Sequence, residues 1–145
     1  MAARPSVLFD LNVLLDVLQR REPFYAASAC ALACAEAGSV EGWVAAHGIT
    51  TLFYLLARYQ SAEQARVVIG ELLRFLSVAA VDQAVIGQAL TLPYSDFEDA
   101  VQMAAAAQAG AQYLVTRNVH DYGAGPLPAL QPAELLALDL QQELS

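Results

Sequence analysis

Asp10-Leu11-Asn12 stands at the end of the apolar run Val7-Leu8-Phe9, and Val13-Leu14-Leu15-Asp16 follows it directly. Carboxylates recur far downstream, in Ser95-Asp96-Phe97-Glu98-Asp99 and in Thr116-Arg117-Asn118-Val119-His120-Asp121. Acidic side chains delivered by separated segments can hold a divalent cation. Oxygen donors of this kind suit Mg²⁺ or Mn²⁺ better than zinc, which more often recruits His or Cys. The chemistry such a set supports is attack on a phosphate ester by an activated water. His47 and His120 are read as surface residues or neighbours of the site rather than ligands.

Each cluster also has a plainer reading. Asp10 is a fitting N-cap for a helix starting near Asn12. Ser95 to Glu98 match a capping box, which commits Glu98 to the helix end and leaves Asp96 and Asp99 on one side at i,i+3 spacing. Asn118 to Asp121 could be an ordinary polar loop. Asp16 is not placed beside Asp10 by helical spacing and reads as a solvated or supporting residue. The joint site is favoured because every cluster falls where one element gives way to the next.

Those elements alternate. Strands are predicted over Val7–Phe9, Gly42–Ala45, Ser77–Val81 and Gln112–Thr116. Helices are predicted from Asn12 to Arg20 and from Phe24 to Ala37, with Pro23 in the first turn and Gly38 as the stop. Further helices run from about Ile49 to Tyr59, from the Ser61 cap to Phe75, and from the Asp82 cap to Leu90. A long Ala-rich helix opened by Ser95 ends near Gly110, and Pro132 starts a last one through Leu138. This order argues an α/β fold with a parallel sheet covered on both faces, whose ligand sites lie beyond the carboxyl ends of the strands.

With 145 residues and no linker or repeat, a single domain over 1–145 is expected, large enough to bury roughly 70% of its unfolded surface. A hydrophobic fraction of 57% and a mean hydropathy of +0.42 invite a membrane reading. Much of that is alanine, however, and charges or turn residues interrupt each apolar run before it reaches about 18 residues. Nothing in Met1-Ala2-Ala3-Arg4-Pro5 resembles a leader, so the expected compartment is the cytoplasm, with no membrane partner. Cys30 and Cys34 share one helical face and are read as small core residues without chemistry. The net charge of -8 excludes avid nonspecific binding of polyanions, and all 7 basic residues are Arg. A nucleic-acid substrate would need a local Arg patch, for which Arg117 is the best-placed phosphate contact; Arg20, Arg21 and Arg58 could extend it but read more simply as surface residues.

Asp10-x-Asn12 with Leu14-Leu15-Asp16, then Asp96-Phe97-Glu98-Asp99-Ala100, then Val115-Thr116-Arg117-Asn118 and Asp121-Tyr122, resemble in order and spacing the PIN-domain (PilT N-terminus-like) family. Those metal-dependent ribonucleases include the VapC-type toxins. The resemblance spans nearly the whole chain and implies a three-layer α/β/α sandwich with an acidic pocket for Mg²⁺ or Mn²⁺. It casts Asp10, Asp99 and Asp121 as metal-binding acids assisted by Asp96, and Thr116 as a pocket hydroxyl. Asn12 would shape the turn, and Asn118 stands where many relatives carry Asp. It implies an RNA substrate and, by extension, an antitoxin partner and a homodimer. One departure matters: where many relatives place a Glu after the second strand, this chain has Thr51, give or take a residue. The alternative expectation is a noncatalytic binding or regulatory module. A haloacid-dehalogenase-like phosphatase is disfavoured, because Asn12 cannot act as the general acid or base and there is no Lys.

Overall fold

A computed structural model describes residues 4–143, so the termini of the expected 1–145 domain, including Met1 to Ala3, lie outside the described residues. Five parallel strands form one sheet in the order β3-β2-β1-β4-β5. The strands are β1 (Ser6–Phe9), β2 (Glu41–Ala45), β3 (Leu76–Ala79), β4 (Tyr113–Val115) and β5 (Ala129–Leu130). The helices are α1 (Leu11–Leu18), α2 (Tyr25–Glu36), α3 (Ala46–Tyr59), α4 (Ala62–Leu72), α5 (Gln83–Ala89), α6 (Phe97–Gln108) and α7 (Pro132–Glu143), with a 3-10 turn at Val119–Tyr122.

The period-two alternation of the strands sorts the core into two layers. Val7, Phe9, Val44, Leu76 and Val115 join a cluster with α1, α2, α3, α4 and α7. Leu8, Ala45, Ala79 and Leu114 face the opposite way, onto α5 and α6. The expected α/β/α sandwich is thus the observed one. The chain moves outward from β1 through β2 to β3, then returns to β1's other side with β4 and β5. The reversal between β1 and β4 opens a crevice at their carboxyl ends, where Asp10 and Thr116 stand.

The alanines of α6 let it lie close on the sheet, and Val101 to Ala106 are all buried. Gly38 (φ 86) and Gly110 (φ 82) end α2 and α6 in the left-handed conformation, as the helix stops predicted. Gly42 in β2 answers a different need, since a Cβ there would stand 2.6 Å from Leu76 and 3.0 Å from both Ala35 and Phe9. Replacing Gly42 with Ala should destabilise the fold by about 1–3 kcal/mol through overpacking, read as a lower urea midpoint at unchanged slope.

Four expectations need correction. Asp96, not Ser95, caps α6, accepting from the Asp99 N–H at 3.2 Å, so Glu98 is not tied up in a capping box. Asp16 is fully buried, which removes the solvated reading and leaves the supporting one. Cys30 is exposed; only Cys34 is buried, where desolvation and the nearby Asp139 carboxylate push its thiol up to about 11 and keep it protonated. The sheet has an extra edge strand, β5, because Pro128 O and Leu130 O accept from the Leu114 and Thr116 N–H groups at 3.0 and 2.8 Å.

Candidate active site

Asp10 leaves β1 and caps α1, with Oδ1 accepting from the Asn12 N–H at 3.3 Å. Its own N–H donates to Val115 O at 2.8 Å, which fastens the end of β1 to the end of β4. Oδ2 accepts from the Thr116 hydroxyl at 2.7 Å, and that hydroxyl accepts from the Asn118 N–H at 3.1 Å. The cap reading of Asp10 and the pocket reading both hold, through different oxygens. Thr116 is fully buried and Asp10 nearly so.

Asp99 enters from the first turn of α6. Asp10, Asn12, His47, Thr51, Asp96, Glu98, Asp99 and Gln102 line one cavity of about 170 Å³. Asp121 lies on the far side of Asp99, in an adjoining cavity shared with Asp96 and Tyr94. The four expected acids are therefore spread over two cavities with Asp96 and Asp99 in common. Among the described residues, no three His, Cys, Asp or Glu side chains converge as a metal cluster.

Burial raises the Asp99 carboxyl above the ordinary Asp range; the hydrogen bond from Tyr122 works against this, and the charges of Asp96, Asp10 and Asp121 add to it. A bound cation would relieve both the desolvation and the like-charge repulsion. The all-oxygen chemistry of Asp10 and Asp99 thus fits Mg²⁺ or Mn²⁺. Because the folded-state value is raised, Asp99 contributes stability below the ordinary carboxylate value and loses it as pH rises through the folded value. At neutral pH its charge destabilises the metal-free protein. Asp99→Asn should therefore raise the metal-free melting temperature at pH 7, with the gain shrinking as pH falls through the carboxylate range in a pH-resolved melting series.

Other predicted residues are placed as follows. Thr51 lines the first cavity, its hydroxyl donating to His47 O at 3.5 Å, so α3 brings no carboxylate there. Asn118 contributes its backbone N–H through Thr116. Asp121 is exposed, and His120 Nε2 lies 3.3 Å from it. Arg117 is held away from a free phosphate-binding role: its Nε donates to Asp16 Oδ2 at 2.9 Å and its guanidinium lies 4.0 Å from the centre of the Phe24 ring. Glu98, expected at the helix cap, lines the cavity instead, and Gln102 and Tyr122 had no role of their own in the sequence. Tyr122 donates to Asp99 Oδ1 and accepts from Gln102 Nε2, both at 2.9 Å. The i,i+3 spacing of Asp99 and Gln102 on one helix was the available signal for that contact.

The PIN domain family model matches residues 6–120. No curated protein sequence matches the chain. Among solved structures, a toxin-antitoxin complex from Klebsiella pneumoniae superposes with a TM-score of 0.67 at 22% identity, over 87% of this chain and 97% of that one. VapBC2 from Rickettsia felis, bound to a DNA fragment from its promoter, gives 0.62 at 15% identity over 87% and 98%. The Mycobacterium tuberculosis toxin VapC20, described as cleaving the sarcin-ricin loop, gives 0.58 at 16% identity over 74% and 86%. Sequence order, parallel sheet and family match agree: the chain belongs to the PIN-domain family.

Proposed function

We propose that this chain is a Mg²⁺- or Mn²⁺-dependent endoribonuclease and the toxin of a toxin-antitoxin pair, acting in the cytoplasm. The observation that carries the reading is the pair Asp10 and Asp99 lining one cavity at the strand-order reversal, each carboxylate gripped by a buried-residue hydroxyl. A cation held there would lower the pKa of a bound water and offset charge on the scissile phosphate. Asp10 and Asp99 would hold it, with Asp96, Glu98 and Asp121 close enough to assist through water. Thr116 and Asn12 fix Asp10 so that little rearrangement is needed. No covalent protein nucleophile is required. The toxin-antitoxin neighbours and the loop-cleaving activity named for one of them support RNA as the substrate.

Purified protein should cleave single-stranded RNA with Mn²⁺ or Mg²⁺ and stop in EDTA. Absence of cleavage with either cation would favour a noncatalytic module, the reading to which the carboxylate-free α3 and the spread of the acids point.

The antitoxin surface belongs to the same reading. α3 and α4 frame an apolar groove lined by Ile49, Phe53, Arg66 and Ile69, with Tyr54, Tyr59 and Val67 exposed on the same pair of helices. Arg66 over Phe53 sets positive charge in it, and Arg58 over Tyr54 adds another on α3, on a chain of net charge -8. An apolar helix carrying acidic side chains fits. A dimer of this chain alone, seen by light scattering and lost on Tyr54→Glu, would instead assign the surface to self-association.

Among the described residues, no helix is long and apolar enough to cross a membrane.

A further inference from the structure

The two central carboxylates are held by the same device. At Asp10, the Asn118 N–H donates to the Thr116 hydroxyl, which donates to the carboxylate. At Asp99, the Gln102 amide donates to the Tyr122 hydroxyl, which donates to Oδ1. Thr116 and Tyr122 bracket one segment, the connection leaving β4. Gln102 and Tyr122 are 7% and 3% exposed, so this pair is set apart from water. The Tyr94 hydroxyl donates to Tyr122 O at 3.4 Å, and its ring meets the Tyr122 ring edge-on at 5.6 Å.

A phenol carries one proton. With an amide N–H filling a lone pair of its oxygen, Tyr122 has that proton free to give to Asp99. We propose that Tyr122, aimed by Gln102, is the positioning residue of Asp99: it fixes the carboxylate through Oδ1 and leaves Oδ2 for a cation in the cavity shared with Asp10. Hydrogen bonds to ligating carboxylates orient them, and their loss typically weakens metal affinity about 10- to 100-fold. The segment after β4 thus orders both carboxylates at once, through Thr116 on one side and Tyr122 on the other. This inference rests on the metal-site reading above.

The test is Mn²⁺ titration of the full chain by calorimetry and electron paramagnetic resonance. Tyr122→Phe should weaken Mn²⁺ binding about 10- to 100-fold. At saturating Mn²⁺, kcat on RNA should fall while KM stays near wild type, a split that general loosening of the fold would not give. Because the single change leaves Gln102 facing no acceptor, a Tyr122→Phe/Gln102→Met double variant makes both ends apolar and keeps the packing. It should show the same loss of Mn²⁺ affinity with a melting temperature near wild type. Binding within about twofold of wild type in both variants would overturn the role of Tyr122. A wild-type chain that takes up no Mn²⁺ would overturn the metal-site reading itself, and this inference with it.

Discussion

Asp10→Asn should lower RNA cleavage on the order of 10²- to 10³-fold while leaving the fold intact. Asn matches Asp in size and as a helix N-cap, and its side-chain oxygen can still accept from the Asn12 N–H. What it loses is the negative charge beside Asp99, one anionic oxygen for a cation, and the acceptor of the buried Thr116 hydroxyl, since the Asn amide nitrogen that replaces Oδ2 can only donate. The loss of that hydrogen bond should cost about 0.5–1.5 kcal/mol, a modest drop in melting temperature, while turnover and Mn²⁺ affinity fall together by far more. Equal cleavage by Asp10→Asn and wild type would show that the nuclease activity comes from elsewhere.

Arg117→Ala should cost about 3–5 kcal/mol of stability. Asp16 is fully buried, and with Arg117 removed its only side-chain partner among the described residues is the Ser28 hydroxyl at 3.3 Å, its Oδ1 already lacking one among them. A loss of that size is a large part of the roughly 5–15 kcal/mol that holds a typical domain together. The effect should be far larger than that of breaking Arg74–Glu71, which is exposed on both sides and worth about 1 kcal/mol or less. Urea denaturation measures both. Replacing Asp16 and Arg117 together with Leu and Met should recover most of the loss, because the penalty is an unpaired buried charge. A single-variant cost under about 1 kcal/mol would mean that the pair behaves as a surface contact.

Arg117 also shows where sequence reasoning stops. Its place between Thr116 and Asn118 made a phosphate contact reasonable from the chain alone. The ion pair to Asp16 depends on how α1 packs against the segment after β4, and no spacing along the sequence encodes that. Asp16 looked solvated for the same reason. By contrast, the strand alternation, the Gly38 and Gly110 stops and the Ser61 and Asp82 caps are local signals, and the structure follows them. β5 has only Ala129 and Leu130 and lies among prolines, too short for an alternation to register. At the head of α6, Ser95 and Asp96 were both competent caps. The chain uses Asp96, which leaves Glu98 to line the cavity and ties up one oxygen of an expected ligand. That Asp10, Asn12, Thr51, Asp96 and Asp99 would line one cavity was thus largely legible, and the division of their oxygens between capping and bracing was not.

The central claim is that Asp10 and Asp99 hold a catalytic divalent cation between them. Crystals soaked in Mn²⁺ and measured at the manganese absorption edge test this directly. An anomalous peak in the cavity lined by Asp10 and Asp99, lost in Asp99→Asn, is the predicted result; a fully soaked crystal with no peak there would contradict it.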